Sequence, residues 1–381
     1  MKKIGIITIH KSTNYGACLQ AHALCKFIES LGYDCEIIDL YRNIHKGFVP
    51  SEKYKIWEPP YAPHALKGKK SIFSKFDNLM MRLLTNKSQS KKTFSFLQFN
   101  ESVKYSKPYK GIDELYDNPP IYDYYVTGSD QVWNPTIGIP VEPYFLTFTD
   151  CENKLSYASS FGVSEIKEAY KEQYKEWLVK YKSISVRESS GANIINDILG
   201  KQVPVVLDPT LLIGADYWKG ILHKPNMKHP YLLLFTLTTP PESLVERAAQ
   251  IAKANNLKLV LFGNRHLSYY LKYHLVADAG PLEFIGWIQH ADMVITNSFH
   301  GFAFSVMLND NFYVLLDKSG KGKSRNSRIE TLLEYFELKA RVVDSSLSGV
   351  SIENKVKRKE LNLLLQNKQQ ESAQFLIDNL K

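Results

Sequence analysis

Two hydrophobic patterns alternate along the 381-residue chain. Short runs of apolar and β-branched residues are typical of buried strands, and between them apolar residues recur at helical spacing, as in residues 17–31. Strands that alternate with helices in this way favour parallel sheets covered by helices, so the sequence predicts the α/β class. The predicted strands are residues 4–9, 35–40, 122–127, 155–158, 183–186, 203–207, 232–237, 257–262, 293–296 and 312–316.

The domain organisation follows from length and from a break in this pattern. The chain is longer than a single hydrophobic core usually supports, so two domains are expected. The strand–helix pattern begins afresh at residue 231, after a proline-containing stretch at 208–230. We therefore predict an N-terminal α/β domain at 1–210, a C-terminal α/β domain at 211–345 and a helical tail at 346–381 that packs back on the body.

Composition narrows the class of protein. The hydrophobic fraction of 44% and the charged fraction of 23% are those of an ordinary globular protein. Apolar runs have the length of strands, and no run is long enough for a membrane-spanning helix. The four cysteines show no CxxC spacing, which disfavours a disulfide framework or a metal site. These features predict a cytoplasmic protein without a bound metal.

The net charge of +9 is concentrated in one segment. Residues 67–92 contain eight lysines and arginines against one aspartate, together with apolar residues at near-helical spacing. Such a segment is either a solvated helix face or a surface that rests on anionic lipid or nucleic acid. We expect no nucleic-acid partner, and we keep a peripheral contact with the inner face of an anionic membrane as one interpretation.

The sharpest local feature is a strand-to-helix turn at residues 297–301, where an apolar strand is followed by Asn, Ser, Phe, His and Gly. Backbone N–H groups and the positive end of a helix dipole favour an anion at such a junction. His300 in the first helical turn can transfer a proton near neutral pH, although a single histidine often has only a structural role. We expect Asn297, Ser298 and Gly301 to line a phosphate-bearing donor, with His300 as the acid.

A second polar cluster follows the predicted strand at 122–127 and reads GSDQVWN. Loops at the carboxyl ends of parallel strands are where α/β sheets bind ligands, so these groups suit a sugar. The alternative is an Asx turn with a buried tryptophan. The candidate residues are Ser129, Asp130, Gln131, Trp133 and Asn134.

Two further loops are candidates for binding. The first strand is followed by Asn14, Tyr15 and Gly16 in a position that suits a sugar or sugar phosphate, but the loop lacks the GxGxxG and Walker patterns. Near the C-terminal end, Lys323, Arg325 and Arg328 belong to a basic run after the predicted strand at 312–316. This run is either a solvated loop or a clamp for carboxylate and phosphate groups.

Taken in order, these segments resemble the polysaccharide pyruvyl transferase family of bacterial surface-polysaccharide gene clusters. The resemblance extends over almost the whole chain. It rests on NYGA at 14–17 with Gln20, GSDQVWN at 128–134, SYASSFG at 156–162, VRE at 186–188, LDPT at 207–210, SFHG at 298–301 and NSRI at 326–329.

The resemblance implies a fold and a site. It implies two facing Rossmann-like domains similar to the GT-B glycosyltransferase architecture, with the active site in the cleft between them. The implied acceptor is a sugar or a lipid-linked oligosaccharide on the N-terminal side, and the implied donor is phosphoenolpyruvate on the C-terminal side. Arg187 matches an arginine that is associated with donor binding, and His300 matches the last residue of an Arg-x-His element. Ser298 stands where those relatives have arginine, and Lys323, Arg325 or Arg328 are the candidates to replace it.

The implied reaction needs no cofactor besides phosphoenolpyruvate as co-substrate. His300 would protonate the enol, Arg187 would hold the anionic groups, and Asp130 would orient or deprotonate the sugar diol, which then forms a pyruvate ketal. A GT-B-type glycosyltransferase that uses a nucleotide-sugar donor is the alternative enzyme. A carbohydrate- or nucleic-acid-binding module is the non-enzymatic alternative.

Overall fold

The computed structural model describes residues 1–54, 56, 72–263, 267–316 and 323–381, and within these it leaves aside the side chains of 72–84, 267, 268, 270 and 323–325. The described chain forms two sheets in which every strand pairing is parallel. The predicted α/β class with two parallel-sheet domains is therefore confirmed. The predicted boundary at 210/211 lies within a short helix, Pro209–Leu212, between the two sheets.

The N-terminal sheet has five strands in the order β2-β1-β3-β4-β5. Its strands consist mainly of apolar and β-branched residues, and β3 and β4 are buried along their whole length because helices cover both faces. The strands are β1 (Lys3–Ile7), β2 (Asp34–Ile37), β3 (Tyr124–Thr127), β4 (Lys154–Ser159) and β5 (Ser183–Val186).

Seven helices accompany this sheet and the connection to the next one. They are α1 (Tyr15–Ser30), α2 (Ile72–Glu101), α3 (Ile112–Asp117), α4 (Glu168–Leu178), α5 (Ser189–Leu199), α6 (Pro209–Leu212) and α7 (Ala215–Ile221). The start of α1 is fixed by Asn14, whose side chain accepts hydrogen bonds from the N–H groups of Gly16 and Ala17. Aspartate is a good cap, and Asp208 begins α6 in the same way, with Pro209 in the first helical position.

The C-terminal sheet has six strands in the order β11-β10-β9-β6-β7-β8. The strands are β6 (Tyr231–Phe235), β7 (Lys258–Phe262), β8 (His274–Val276), β9 (Met293–Thr296), β10 (Phe312–Leu315) and β11 (Val342–Val343). The helices are α8 (Glu242–Ala254), α9 (Leu267–Lys272), α10 (Pro281–Gln289), α11 (Phe299–Leu308), α12 (Lys323–Tyr335) and α13 (Arg358–Asn379).

Each sheet has one point where the chain reverses the direction in which it adds strands. In the N-terminal sheet this point lies between β1 and β3, and in the C-terminal sheet it lies between β6 and β9. Ligands of open α/β sheets bind outside the carboxyl ends of the strands at such points. The loop after β3 begins at Gly128 and the turn after β9 begins at Asn297, so both candidate loops lie where the topology places a site.

The last helix, α13, returns to the N-terminal domain. Its Ser372 accepts a hydrogen bond from the backbone N–H of Leu207 at 3.0 Å, and the side chain of Gln369 donates to the carbonyl of Leu211 at 2.6 Å. Apolar positions such as Leu365 and Leu376 are buried in the core that both domains share. The tail thus fixes the C-terminal end of the chain to the first domain and the connection.

One predicted strand is wrong, and two strands were not predicted. Residues 203–207 form only an isolated parallel bridge, between Val205 and Val186, because Pro204 removes a hydrogen-bond donor from the run. The short edge strands β8 and β11 carry too few residues to show an alternating pattern.

Candidate functional site

The turn between β9 and α11 is built by side-chain hydrogen bonds to the backbone. Ser298 caps α11 by accepting from the N–H of Gly301 at 3.3 Å, and its own N–H donates to Oγ1 of Thr296 at 3.0 Å. A Cβ on Gly301 would lie 2.6 Å from that same oxygen, so only glycine fits there. The side chain of Asn297 accepts from the N–H of Leu237, which ties this turn to the end of β6.

His300 projects from this turn to the N-terminal domain. A Cβ on Gly16 would lie 1.9 Å from Nδ1 of His300, so the imidazole packs directly on the start of α1. Nε2 is buried, and among the described residues it has no hydrogen-bond partner. Among the described residues, the charged group next to Nε2 is Asp208, whose Oδ2 lies 3.6 Å away. This distance is too long for a hydrogen bond, and it gives a protonated imidazole an ionic partner.

Asp208 is the centre of a buried polar network. Its Oδ2 accepts from Nη1 of Arg187 at 2.7 Å and lies 3.2 Å from Oγ of Ser129. Its Oδ1 accepts from both the N–H and the hydroxyl of Thr210. Nη2 of Arg187 reaches Oδ1 of Asp130 at 3.3 Å. Both Asp208 and Arg187 are almost fully buried, so the network brings together the loop after β3, the end of β5 and the start of α6.

The charges in this network are strongly coupled. Burial would raise the pKa of Asp208, but the neighbouring His300 and Arg187 outweigh it and hold that pKa well below its usual range. Burial also opposes the charge of Arg187, yet the carboxylates of Asp208, Asp130 and Glu188 raise its pKa above the usual value. Asp208 is therefore a carboxylate at neutral pH.

A cavity of about 530 Å³ lies at the carboxyl ends of β11, β10, β9 and β6. Phe299 and Arg328 contribute to its wall, and the guanidinium carbon of Arg328 lies 5.8 Å from the centre of the Phe299 ring. The same ring lies 4.6 Å from the guanidinium carbon of Arg187 and 5.0 Å from the ring of His300. Phe299 thus contacts both the cavity and the buried network.

Comparison of the sequence with models of known protein families identifies the family of this chain. A family model described as polysaccharide pyruvyl transferase matches residues 14–317, which include the turn at 297–301, Arg187 and Asp208. The chain belongs to the polysaccharide pyruvyl transferase family. The predicted family and the predicted transferase class are thereby confirmed. A comparison with curated proteins found no match.

Several solved structures are similar to this chain over nearly its whole length. A UDP-GlcNAc 2-epimerase of Methanocaldococcus jannaschii, in complex with UDP-GlcNAc and UDP, is 12% identical, with a TM-score of 0.49 and coverage of 100% of this chain and 99% of that one. A glycosyltransferase of Rickettsia africae gives the same identity, TM-score and coverage. The MurG protein of Acinetobacter baumannii is 11% identical, with a TM-score of 0.41 and coverage of 99% and 98%.

The family member brings together only some of the residues predicted for donor binding. Asn297, Ser298, Gly301 and His300 form one turn, as expected from the sequence, and Arg328 reaches the cavity. The side chains of Lys323 and Arg325 lie outside the described residues, at the start of α12. Arg187 is present at the site but holds its guanidinium between carboxylates, so its predicted contact with the donor remains a prediction.

The loop after β3 does not present the surface predicted for the acceptor. Trp133 is fully buried, stacks on Phe145 and donates its indole N–H to the carbonyl of Tyr144, so its predicted contact with the acceptor sugar is corrected. Ser129 is fully buried as well, and Asn134 is 3% exposed. Their side chains stabilise the loop from within.

The remaining acceptor candidates have other contacts. Oε1 of Gln131 accepts from the side chain of Asn134 at 2.7 Å, and Asn14 caps α1. Tyr15 stacks on Phe284 of the C-terminal domain at 4.7 Å, and its hydroxyl donates to the carbonyl of Ala279. In this structure Tyr15 therefore joins the two domains.

Three residues of the site were not predicted. Asp208 appeared only in the LDPT motif and at the start of the stretch 208–230, because an Asp-Pro pair indicates a boundary and says nothing about charge partners. Glu188 binds the loop after β4, since its Oε1 accepts from the hydroxyl of Ser160 and the N–H of Phe161. Phe299 appeared only within the SFHG motif, with no role assigned to it. Their roles depend on contacts between segments far apart in sequence.

The described residues form neither a metal-binding cluster nor a membrane-spanning helix. No group of three or more His, Cys, Asp and Glu is arranged to hold a metal ion in the part of the chain that the structure describes. Within the same residues, no helix is long and apolar enough to cross a membrane.

Proposed function

We propose that this family member transfers the enolpyruvyl group of phosphoenolpyruvate to a sugar diol of a surface-polysaccharide precursor, forming a pyruvate ketal and releasing phosphate. The family supports a sugar or polysaccharide acceptor. The observation that carries the proposal is the position of His300, 3.6 Å from the buried carboxylate of Asp208 and next to Phe299 at the wall of a cavity. A histidine with an ionic partner, beside a space for a ligand, suits a general acid.

The donor fits the end of the cavity near α11. The first N–H groups of a helix lack carbonyl partners within the helix, and a phosphate or carboxylate is favoured there. Arg328 supplies a cation at the same wall. We assign the phosphate and carboxylate of phosphoenolpyruvate to these groups, with Asn297 as a further polar neighbour.

The first chemical step is a proton transfer. His300 in its protonated form gives a proton to the methylene carbon of the enol, which becomes a methyl group and leaves the adjacent carbon cation-like. A sugar hydroxyl adds to that carbon and gives its proton back to the imidazole. Asp208 stabilises the imidazolium, and Arg187 keeps Asp208 ionised and in place.

The second step closes the ketal. The other hydroxyl of the diol attacks the same carbon, the carbon–oxygen bond to phosphate breaks, and the proton of that hydroxyl leaves with the phosphate. The products are a cyclic pyruvate ketal and inorganic phosphate, so atoms and charge balance. The predicted role of Asp130 at the sugar stays a prediction, since one oxygen of Asp130 already contacts Arg187.

The test uses the purified full chain with phosphoenolpyruvate and a panel of p-nitrophenyl hexosides and undecaprenyl-diphosphate-linked glycans. We expect phosphate release that depends on the acceptor, and a product whose mass and NMR spectrum show a pyruvate ketal. The variant His300→Gln should keep phosphoenolpyruvate binding and lose at least about 10²-fold in phosphate release, the usual contribution of a general acid. Transfer of a hexose from a UDP-hexose, without a ketal, would instead assign the glycosyltransferase reaction.

We also propose a cytoplasmic enzyme that rests on the inner face of a membrane through the basic segment 67–92. Residues 67–71 lie outside the described residues, and α2 begins at Ile72. At the far end of the segment, Lys91 pairs with Asp278 at 2.8 Å and the ammonium of Lys92 lies 4.6 Å from the Tyr15 ring. These two lysines make contacts within the protein. We therefore assign the lipid contact to the part of the segment that precedes Lys91.

Charge reversal tests this contact. We expect the triple variant with Lys69, Lys70 and Lys75 replaced by Glu to sediment less with vesicles that contain anionic lipid, at unchanged thermal stability, because each basic residue near such a surface contributes about 1 kcal/mol. Equal sedimentation of the variant and the parent protein would leave the segment as a solvated helix face.

A further inference from the structure

The cavity in the C-terminal domain is too large for the donor alone. Phosphoenolpyruvate has ten non-hydrogen atoms, and even at the roughly 30 Å³ that a water molecule occupies in the liquid these would fill on the order of 300 Å³. The cavity measures about 530 Å³, which is within the usual range for sites of larger ligands. Space for a second molecule therefore remains beside the donor.

The shape of this space follows from the sheet. The cavity extends over the ends of four neighbouring strands, β11, β10, β9 and β6, which is about 14 Å at the usual strand spacing. Asn297, after β9, lies in the middle of this row and is bonded to the loop after β6. Asp344 follows β11 and lies two strands away, about 10 Å from the donor end.

The lining beyond the donor end carries hydroxyl, amide and carboxylate groups. Thr238 and Thr239 are exposed in the loop after β6, and Asp344 and Ser345 are exposed after β11. Among the described lining residues the charged groups are Arg328 and Asp344, one of each sign. A saccharide matches these lining residues through its hydroxyl groups, which can donate to the carboxylate and exchange hydrogen bonds with the threonine hydroxyls.

The loop after β3 in the N-terminal domain has fewer polar groups available to bind a sugar than the lining of this cavity. The polar residues of the loop after β3 are buried and bonded within the domain, as in the contact of Ser129 with the carbonyl of Ala158 at 2.9 Å. Trp133 belongs to the aromatic core. A sugar that approached this loop would find few groups with free bonding capacity.

We infer that the acceptor saccharide binds in the cavity of the C-terminal domain, between the loop of Thr238 and Thr239 and the turn at Asp344, with phosphoenolpyruvate at the Arg328 end. The inference rests on the proposed function for the identity of the second ligand. It moves the acceptor from the N-terminal domain, where the sequence placed it, to the same wall that holds the donor. Asp344 and the threonines then select the sugar by its pattern of hydroxyl groups.

The experiment blocks the cavity and leaves the donor end open. The full chain is mixed with methyl β-D-galactopyranoside, methyl β-D-glucopyranoside and methyl α-D-mannopyranoside, with phosphoenolpyruvate present, and binding is read by saturation-transfer NMR. In Thr239→Phe a large side chain enters the cavity from an exposed position, so the fold is kept. Thr93→Phe, at an exposed position of α2 outside the lining, is the matched control.

We expect the parent protein and Thr93→Phe to bind at least one glycoside, and Thr239→Phe to lose at least about tenfold in its apparent affinity. Calorimetry should show unchanged binding of phosphoenolpyruvate to Thr239→Phe. Asp344→Asn, which keeps the shape and removes the charge, should change the preference among the three glycosides.

Several outcomes overturn the inference. If Thr239→Phe binds the glycosides as well as the parent protein does, the sugar binds elsewhere. The absence of binding by all three glycosides would also contradict the inference. Binding of UDP that Thr239→Phe abolishes would make the cavity a nucleotide site. A parent protein that binds a glycoside in the cavity but neither binds nor cleaves phosphoenolpyruvate would refute the proposed function and leave the saccharide site in place.

Discussion

Arg187→Met tests whether the buried network is held together by a single cation. The side chain of Arg187 is 1% exposed and lies 2.7 Å from Asp208 and 3.3 Å from Asp130, while Glu188 is 3.8 Å from its Nε. Methionine has a similar length and no charge. The substitution therefore leaves three buried carboxyl groups without their cation, while most of the packing volume is kept.

The expected cost is large. Removal of one partner from a buried ion pair destabilises proteins by about 3–5 kcal/mol, because the remaining charge stays buried and unpaired. The total free energy of unfolding of a domain is about 5–15 kcal/mol, so this loss is a large part of it. Ser129 and Thr210 continue to bond Asp208 in the variant, which places the expected loss at the lower end, about 3 kcal/mol.

The free energy of unfolding of the variant should also change with pH in the direction opposite to that of the parent protein. In the parent protein the pKa of Asp208 is held below its unfolded value of about 3.9, so its stabilisation is present above about pH 4 and is lost only as the pH falls further. Without Arg187 we expect burial, together with the neighbouring carboxylates of Asp130 and Glu188, to outweigh His300 and raise this pKa above the unfolded value. The variant then loses stability as the pH rises above about 4, and its deficit is smaller at pH 5 than at pH 8.

Urea unfolding at pH 5 and pH 8, followed by tryptophan fluorescence, measures both effects. Arg247→Met is the matched control, since Arg247 is exposed on α8 and its change should stay within about 0.5 kcal/mol. A loss below about 1 kcal/mol for Arg187→Met, or an equal loss at both pH values, would refute the reasoning and show that water or backbone groups already solvate these carboxylates.

Three further predictions concern histidines and their neighbours. In Gly16→Ala the new methyl group would meet Nδ1 of His300 at 1.9 Å, so we expect at least about tenfold slower phosphate release at unchanged phosphoenolpyruvate affinity, measured by steady-state kinetics and calorimetry. Asp208→Asn removes the ionic partner of the proposed imidazolium, so we expect at least about tenfold slower phosphate release; an unchanged rate would separate Asp208 from the acid. Burial and the charge of Lys26 lower the pKa of His22 to about 4, so stability should fall as the pH decreases from about 6.5 to 4, where the unfolded chain takes up a proton that the folded protein excludes. His22→Phe should flatten this fall in urea unfolding, and a Phe at the exposed His229 should not.

Much of the fold could be predicted from the sequence because strands and helices have local patterns. The run at 183–186 and the run at 293–296 were predicted with the bounds that the structure shows, since each is a short, apolar, β-branched segment between polar turns. The strand β11 could not be predicted. It has two residues, and its pairing with β10 depends on the fold of the whole domain.

The candidate site was predictable only where its chemistry is local. The turn at Ser298 combines a cap, a close glycine and a strand end, all within a few residues, and its place at the end of β9 agrees with the prediction. The burial of Trp133 was one of two alternatives, and the sequence could not decide between them because its partners Phe145 and Tyr144 come from a segment without regular pattern. The pairing of Arg187 with Asp208 is likewise a property of the end of β5 and the start of α6, which only the folded domain brings together.

The serine at position 298 now has a physical explanation. Its hydroxyl caps α11 and its N–H bonds Thr296, so a short polar side chain serves the turn, and an arginine there would give up a cap of about 1 kcal/mol. The cation that the related Arg-x-His element supplies is available instead from Arg328, which approaches the face of Phe299, the residue between Ser298 and His300. An anion held by Arg328 would thus lie next to the same histidine. We therefore propose that Arg328 on α12 supplies the positive charge that the arginine supplies in those relatives, with His300 kept as the proposed acid.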